Sequence, residues 1–246
     1  MRFPIIIFLF SLAGLYLSVR TGIVLRRHVK ELDEADFAII LTTTLTLLGI
    51  IIGFSFSMSV TRYDQRKNFE EEETNAIGTE YLRVELLPAA EADLAKQLLR
   101  KYTELRIAWY GTRNLDRILQ IDRETADTQA SFWSAVKKGA SGQPAAVVAL
   151  TVGGANDVIN RQGYTEAAWL NSIPPAAWCM MLAIAIFGTV LLGMNAHKPG
   201  RLVTLTLPVL VSLAFFFIAD LDSPRGGLIR VQPRNLINLS QSLSGQ

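Results

Sequence analysis

The chain reads as an all-α, polytopic membrane protein with four transmembrane helices and a helical soluble region between the second and third. Three observations predict this. The 246 residues are 50% hydrophobic and 19% charged, with a mean hydropathy of +0.28, too apolar for an ordinary soluble domain. The apolar residues come in blocks, and four blocks reach the roughly 20 helical residues that a hydrocarbon core of about 30 Å requires. Between the second and third blocks lies a polar stretch with helical periodicity.

The first block, Phe3–Leu25, has the alternative of a signal peptide, with Arg2 as its basic end and Ile5–Leu17 as its apolar core. No small-x-small cleavage site precedes Arg20 and the apolar pattern resumes at Gly22–Leu25, so a span is expected. The second block is Phe37–Val60. From Asp64 to Leu87, charges alternate with Ala76, Ile77, Tyr81, Leu82 and Val84 at helical spacing, and Pro88 marks a boundary. Glu91–Tyr110 carries a stripe of Leu94, Leu98, Leu99, Tyr102, Leu105 and Trp109. Asn114–Lys138, with Leu115, Ile118, Ile121 and Trp133, is a third candidate helix, and Gly139–Gln143 a loop. A fourth helix is expected from Pro144 to Ser172. The last two spans are Ile173–Met194 and Leu202–Asp220, the latter kinked at Pro208. The expected division is therefore 1–60, 61–172, 173–220 and a C-terminal tail, 221–246.

Four crossings put both termini and the helical middle on one side. Arg2, Arg62, Arg66, Lys67, Arg225, Arg230 and Arg234 on that side balance Arg20, Arg26, Arg27, Lys30, Lys198 and Arg201 on the other. Charge therefore does not orient the chain.

The second span is the least ordinary. Laid out as a helix, it places Thr42, Thr46, Gly49, Gly53, Phe56, Ser57 and Val60 in one sector. Leu41, Leu45, Leu48 and Ile52 fall largely on another. Gly49 and Gly53 form a GxxxG pair that admits a close neighbouring backbone. Two explanations fit this small, hydroxyl-rich face: helix packing within the subunit or a dimer, or a permeation path shared by symmetry-related copies. Threonine and serine hydroxyls bond their own helix backbone and do not by themselves require water.

The remaining polar features are sparse. Thr189 and Thr204 can be satisfied within their own helices. Glu70–Glu73 is an acidic run whose members point in different directions, as on a solvated face, or form a cation-attracting ring in an oligomer. Asp220 and Asp222, followed by Ser223-Pro224-Arg225-Gly226-Gly227, suit a helix stop or a cation site. A net charge of +2 gives no nucleic-acid footprint. The single Cys179 cannot form an intrachain disulfide. His28 and His197 lack spaced partner ligands, so no metal and no cofactor is expected. No G-x-S-x-G, P-loop or H-E-x-x-H motif appears, and the chain is expected not to be an enzyme.

Gly53-Phe54, followed by Val60-Thr61-Arg62 and an aromatic at Tyr63, resembles the end of the second transmembrane helix of bestrophins. There Gly-Phe is followed at the same spacing by Val-Thr-Arg-Trp. Glu72–Arg83, Ile173–Trp178 and Asp220–Val231 resemble blocks of a bacterial bestrophin-like family, and together the matches run from the second span to the tail. The resemblance implies a pentameric channel of the cell (inner) membrane, mostly for anions, with termini and helical middle in the cytoplasm. It puts Phe54 at an apolar neck, Ile50 one turn before it and Thr46 a further turn on, where the family is apolar. Ser57 and Thr61 then flank the neck. The chain departs from the pattern by lacking the neck proline, by carrying Tyr63-Asp64 where the family has paired tryptophans, and by a shorter middle. Of the acidic cluster that binds calcium in animal bestrophins only Asp220 and Asp222 remain, so calcium gating is not implied.

The expected function is a homo-oligomeric channel passing small monovalent ions, chloride-like anions before cations. Its pore is lined by Thr46, Ile50, Phe54, Ser57 and Thr61, its mouth is charged by Arg62, Arg66 and Lys67, and Gly49 and Gly53 serve helix packing. The acidic run argues against anions. The competing expectation is a non-conducting membrane scaffold or sensor whose helical middle binds a partner.

Overall fold

The computed structural model describes residues 2–28, 34–195 and 201–244. Lys30, His197 and Lys198, which entered the charge and metal expectations, lie outside them. Eight α-helices and no strand occur among the described residues. They are α1 (Arg2–Arg26), α2 (Glu34–Arg83), α3 (Ala89–Gly111), α4 (Leu115–Ala140), α5 (Ala145–Leu170), α6 (Pro175–Asn195), α7 (Arg201–Asp222) and α8 (Arg234–Ser244). Four helical stretches each contain a segment long and apolar enough to cross a membrane: Pro4–Arg26, Ala35–Leu86, Ala145–Asn195 and Thr204–Asp222. The second span and the charged segment after it form one uninterrupted helix of 50 residues, because no proline or glycine pair separates them. Its end comes at a short 3-10 turn, Val84–Leu86, before Pro88.

Contacts divide the chain into two compact units. The first comprises Met1–Tyr63 and Ser172–Arg230. Its core joins Leu15 of α1, Leu48 of α2, Met181 and Ala185 of α6, and Val211, Phe215 and Ile218 of α7. A second cluster holds Phe37 and Leu41 against Leu191 and Met194. Helices α1 and α6 touch backbone to backbone. A Cβ on Gly22 would fall onto the Val190 carbonyl, and one on Gly193 onto that of Val19. Close approach of this kind is how helices gain contact where lipid removes the hydrophobic drive between them. Outward-facing Leu9, Phe10, Leu17, Ile39, Phe187 and Leu210 are exposed, an apolar exterior suited to a bilayer.

The second unit comprises Asp64–Asn171 and Val231–Gln246. Helices α3 to α5 arise where the periodicity places them, with small shifts. The buried stripe of α3 runs through Ala92, Ala95, Leu99, Tyr102, Arg106 and Trp109. Leu94, expected on that stripe, is exposed, because the buried phase set by Ala92, Ala95 and Leu99 turns it outward. On α4, Phe132 is buried while Trp133 and Leu115 face out. Asn114 caps α4 by accepting from Arg117 N at 3.1 Å. Helix α4 runs past the expected loop start to Ala140. Gly139 lies inside it, where a Cβ would meet Glu91 Cβ at 2.8 Å. The turn is made instead by Gly142 at φ +80°. Residues 221–246, read from sequence as a tail, contain α8, whose Leu236 and Leu243 are buried.

Candidate functional site

Within the first unit, α2 has two faces. Leu41, Leu48, Ser55 and Ser59 are buried, and the Ser59 hydroxyl donates to Ser55 O at 2.9 Å. On the other face Thr46, Ile50, Phe54, Ser57 and Thr61 are all exposed in the single chain, Phe54 by 72%. The sequence-expected lining therefore does share one face. The Thr61 hydroxyl bonds Ser57 O at 3.0 Å, along its own helix. A Cβ on Gly49 or Gly53 would meet nothing within 4 Å. Packing at the GxxxG pair is thus not made inside the chain. The face it belongs to points away from the subunit core.

The three cations expected at a mouth do not gather on one exposed face. Arg66 is buried at 1% exposure, so its guanidinium is not offered to solvent. Arg62 is largely covered, with Nη1 3.8 Å from Asp222 Oδ1 and Nη2 3.6 Å from Met58 Sδ. Lys67 is exposed. The physical reason is helical phase: Arg62 and Arg66 are one turn apart on the buried side, and Lys67 is rotated off it.

Asp220 and Asp222 are occupied by backbone donors. Both Asp222 oxygens lie 3.0 Å from Ile173 N, at the start of the third span. Asp220 accepts from Leu228 N at 2.6 Å and from Ile229 N at 2.8 Å. A Cβ on Gly227 would strike the Asp220 carbonyl, which explains the glycine there. The pair serves as a helix stop that pins the following turn. No cluster of three or more metal-ligating side chains occurs among the described residues.

In the second unit the acidic run is not a solvated face. Glu71 is exposed, but Glu70 and Glu73 are buried and Glu72 pairs with Arg161. Glu70 accepts from Leu236 N at 3.0 Å and Asn235 Nδ2 at 2.7 Å, holding the N-terminus of α8. Burial raises its pKa even against those donors. Glu73 and Arg106, each 0% exposed, meet at 2.5 Å. Thr165 donates to Glu73 Oε2 at 3.1 Å, and the Tyr102 hydroxyl lies 3.2 Å from Glu73 Oε1 and from Gln162 Oε1. Arg106 Nη1 also donates to Glu166 at 3.2 Å. Burial is the largest influence and opposes the Arg106 charge, but Glu73, Tyr102 and Glu166 together outweigh it and the pKa is raised. Burial, then Glu73, likewise keeps the Tyr102 hydroxyl protonated. The sequence carried a signal for this network. Tyr102 and Arg106 recur on the apolar stripe of α3, and an arginine there needs a buried acid.

The comparisons fit this architecture. A family model for the bestrophin-like domain matches residues 6–236. No curated protein matches the chain. Among solved structures, a single-substitution variant of a bacterial bestrophin homologue from Klebsiella pneumoniae has a TM-score of 0.69 at 16% identity. That match covers 96% of this chain and 98% of the other. A second variant gives 0.69 at 15%, covering 97% of each, and a third 0.68 at 14%, covering 99% of each. At such identities the likeness speaks for the fold, which this chain shares from end to end. With the family model spanning all four apolar stretches, the chain belongs to the bestrophin-like family.

Proposed function

We propose that the chain is the subunit of a homo-oligomeric channel, pentameric as in the bestrophins it resembles, for small monovalent ions in the cell (inner) membrane. The second unit is its soluble, cytoplasmic part. One observation carries the reading: α2 turns Thr46, Ile50, Phe54, Ser57 and Thr61 away from its own core, with two bare glycines beside them. Repeated around an axis, Ile50 and Phe54 form an apolar ring that an ion enters only by shedding water, the dewetting type of constriction. Anions come before cations through kinship with bestrophins. Local charge contributes little, since Lys67 is the exposed member of the basic cluster.

The experiment is current recording from purified oligomer in a planar bilayer under a salt gradient, for the wild type and Phe54→Ala. A reversal potential displaced toward the Nernst value of the anion, with larger leak in Phe54→Ala oligomers of unchanged size, is expected. Silent oligomers of correct size overturn the channel reading in favour of a scaffold. Loss of assembly in Phe54→Ala makes the residue a packing element.

A further inference from the structure

Glu80, on the charged part of α2 beyond its apolar stretch, has 0% exposure, and neither carboxyl oxygen has a hydrogen-bond partner. It abuts bare backbone on α5. A Cβ on Gly154 would fall onto Glu80 Oε2 and lie 2.7 Å from Arg83 Nη1. The charged groups that face it are Arg83 on its own helix and Asp157 on α5. Both also line a cavity of about 330 Å³, together with Glu72, Asn75, Thr79 and Arg161. Arg161 is already engaged by Glu72. A carboxylate without donors is expensive to bury, whereas the neutral acid costs far less. Burial is the largest influence and Asp157 adds to it; against the opposing pull of Arg83 they push the pKa up to about 8.

We propose that Glu80 is a proton-binding site that holds its proton while α2 and α5 are packed through Gly154 and releases it only as that crossing loosens. The proton leaves to water in the adjoining cavity that Arg83 and Asp157 line. What remains is a carboxylate facing Asp157. The new charge is accommodated by admitting water or by swinging Arg83 onto it, and either separates α5 from α2. The device converts alkalinisation around the second unit into freedom of α5.

The test uses the full chain in lipid nanodiscs, comparing wild type, Glu80→Gln and Asp157→Asn. Infrared difference spectra should show a buried protonated carboxyl band that fades as pH rises through about 8 and is absent in Glu80→Gln. Hydrogen exchange of the 150–158 segment, normalised to Glu80→Gln at each pH, should quicken about tenfold per pH unit from about pH 6 to about pH 8 and then level. Asp157→Asn, which removes the repelling carboxylate, should move the fading of the band to lower pH. The proposal is overturned if wild type and Glu80→Gln give the same carboxyl band at about pH 6. It is also overturned if their α5 exchange tracks together across the range, or if Asp157→Asn leaves the midpoint in place.

Discussion

Replacing Arg106 by methionine keeps most of the side-chain volume and removes the charge. Glu73 would keep the Thr165 and Tyr102 hydroxyls at 3.1 and 3.2 Å but lose Arg106 Nε at 2.5 Å and Nη2 at 3.5 Å. Both partners are 0% exposed, so water does not take over. Breaking a buried pair from one side costs about 3–5 kcal/mol. An independent bound comes from letting the stranded acid neutralise. Protonating an ordinary glutamate at pH 7 costs about 3.7 kcal/mol, and the cost falls by about 1.4 kcal/mol per pH unit. The two agree. The assay is thermal unfolding of the purified chain in detergent. A chain of this size moves about 2–4 °C per kcal/mol, so Arg106→Met should melt about 6–20 °C lower at pH 7. Sign follows from proton uptake: the variant's native state binds a proton that the unfolded state lacks, so its deficit shrinks as pH falls toward about 5. The double variant Glu73→Gln/Arg106→Met should recover most of the loss, since a neutral pair strands no charge. A shift below about 2 °C, or a deficit independent of pH, would refute the reasoning.

At the α1–α6 crossing, Gly193→Ala should lower the melting temperature by the equivalent of about 1–3 kcal/mol, since its Cβ would fall onto the Val19 carbonyl. Gly14→Ala, with nothing within 4 Å, should not lower it in the same measurement and should raise it by the equivalent of up to about 1 kcal/mol. Asp222→Ala strands Ile173 N and uncovers Arg62, a loss of about 1–3 kcal/mol readable by thermal unfolding. Chelation should leave the wild-type melting curve unchanged, because backbone N–H groups already occupy both carboxylates of the Asp220–Asp222 pair.

The apolar blocks and the helical periods were legible because each is a one-dimensional signal: length against bilayer thickness, and side-chain spacing against the turn of a helix. What stayed hidden depends on which neighbour a face meets. Glu70–Glu73 is four adjacent carboxylates in sequence, but at about 100° per residue they face different partners. One holds α8, one meets Arg161, one is buried on Arg106, and Glu71 meets solvent. Arg66 shows the same limit. It looked like a mouth cation beside Lys67, and one residue of rotation decides which of the two is buried. Gly154 and Glu80 lie far apart in the chain, so nothing local in either segment marks the close fit between them.

The exposed face of α2 supports two separable claims, and its residues divide between them. Hydroxyls on that face do not demand water, since Thr61 is satisfied by the Ser57 carbonyl of its own helix. The glycines are more demanding. Each costs a helix about 1 kcal/mol relative to alanine, and nothing within the chain uses the space that Gly49 and Gly53 leave. A neighbouring backbone from another copy would use it, so these two positions argue for assembly. Phe54 argues for something else. A large ring 72% exposed beside bare glycines gains little by facing lipid, which is as apolar as the ring, but it narrows any path that a ring of α2 copies encloses. In the proposed channel, assembly would therefore rest on Gly49 and Gly53, and conduction on Ile50 and Phe54. Truncating Phe54 while leaving both glycines untouched separates the two claims: a changed leak at unchanged oligomer size supports the conduction role, and loss of assembly overturns it.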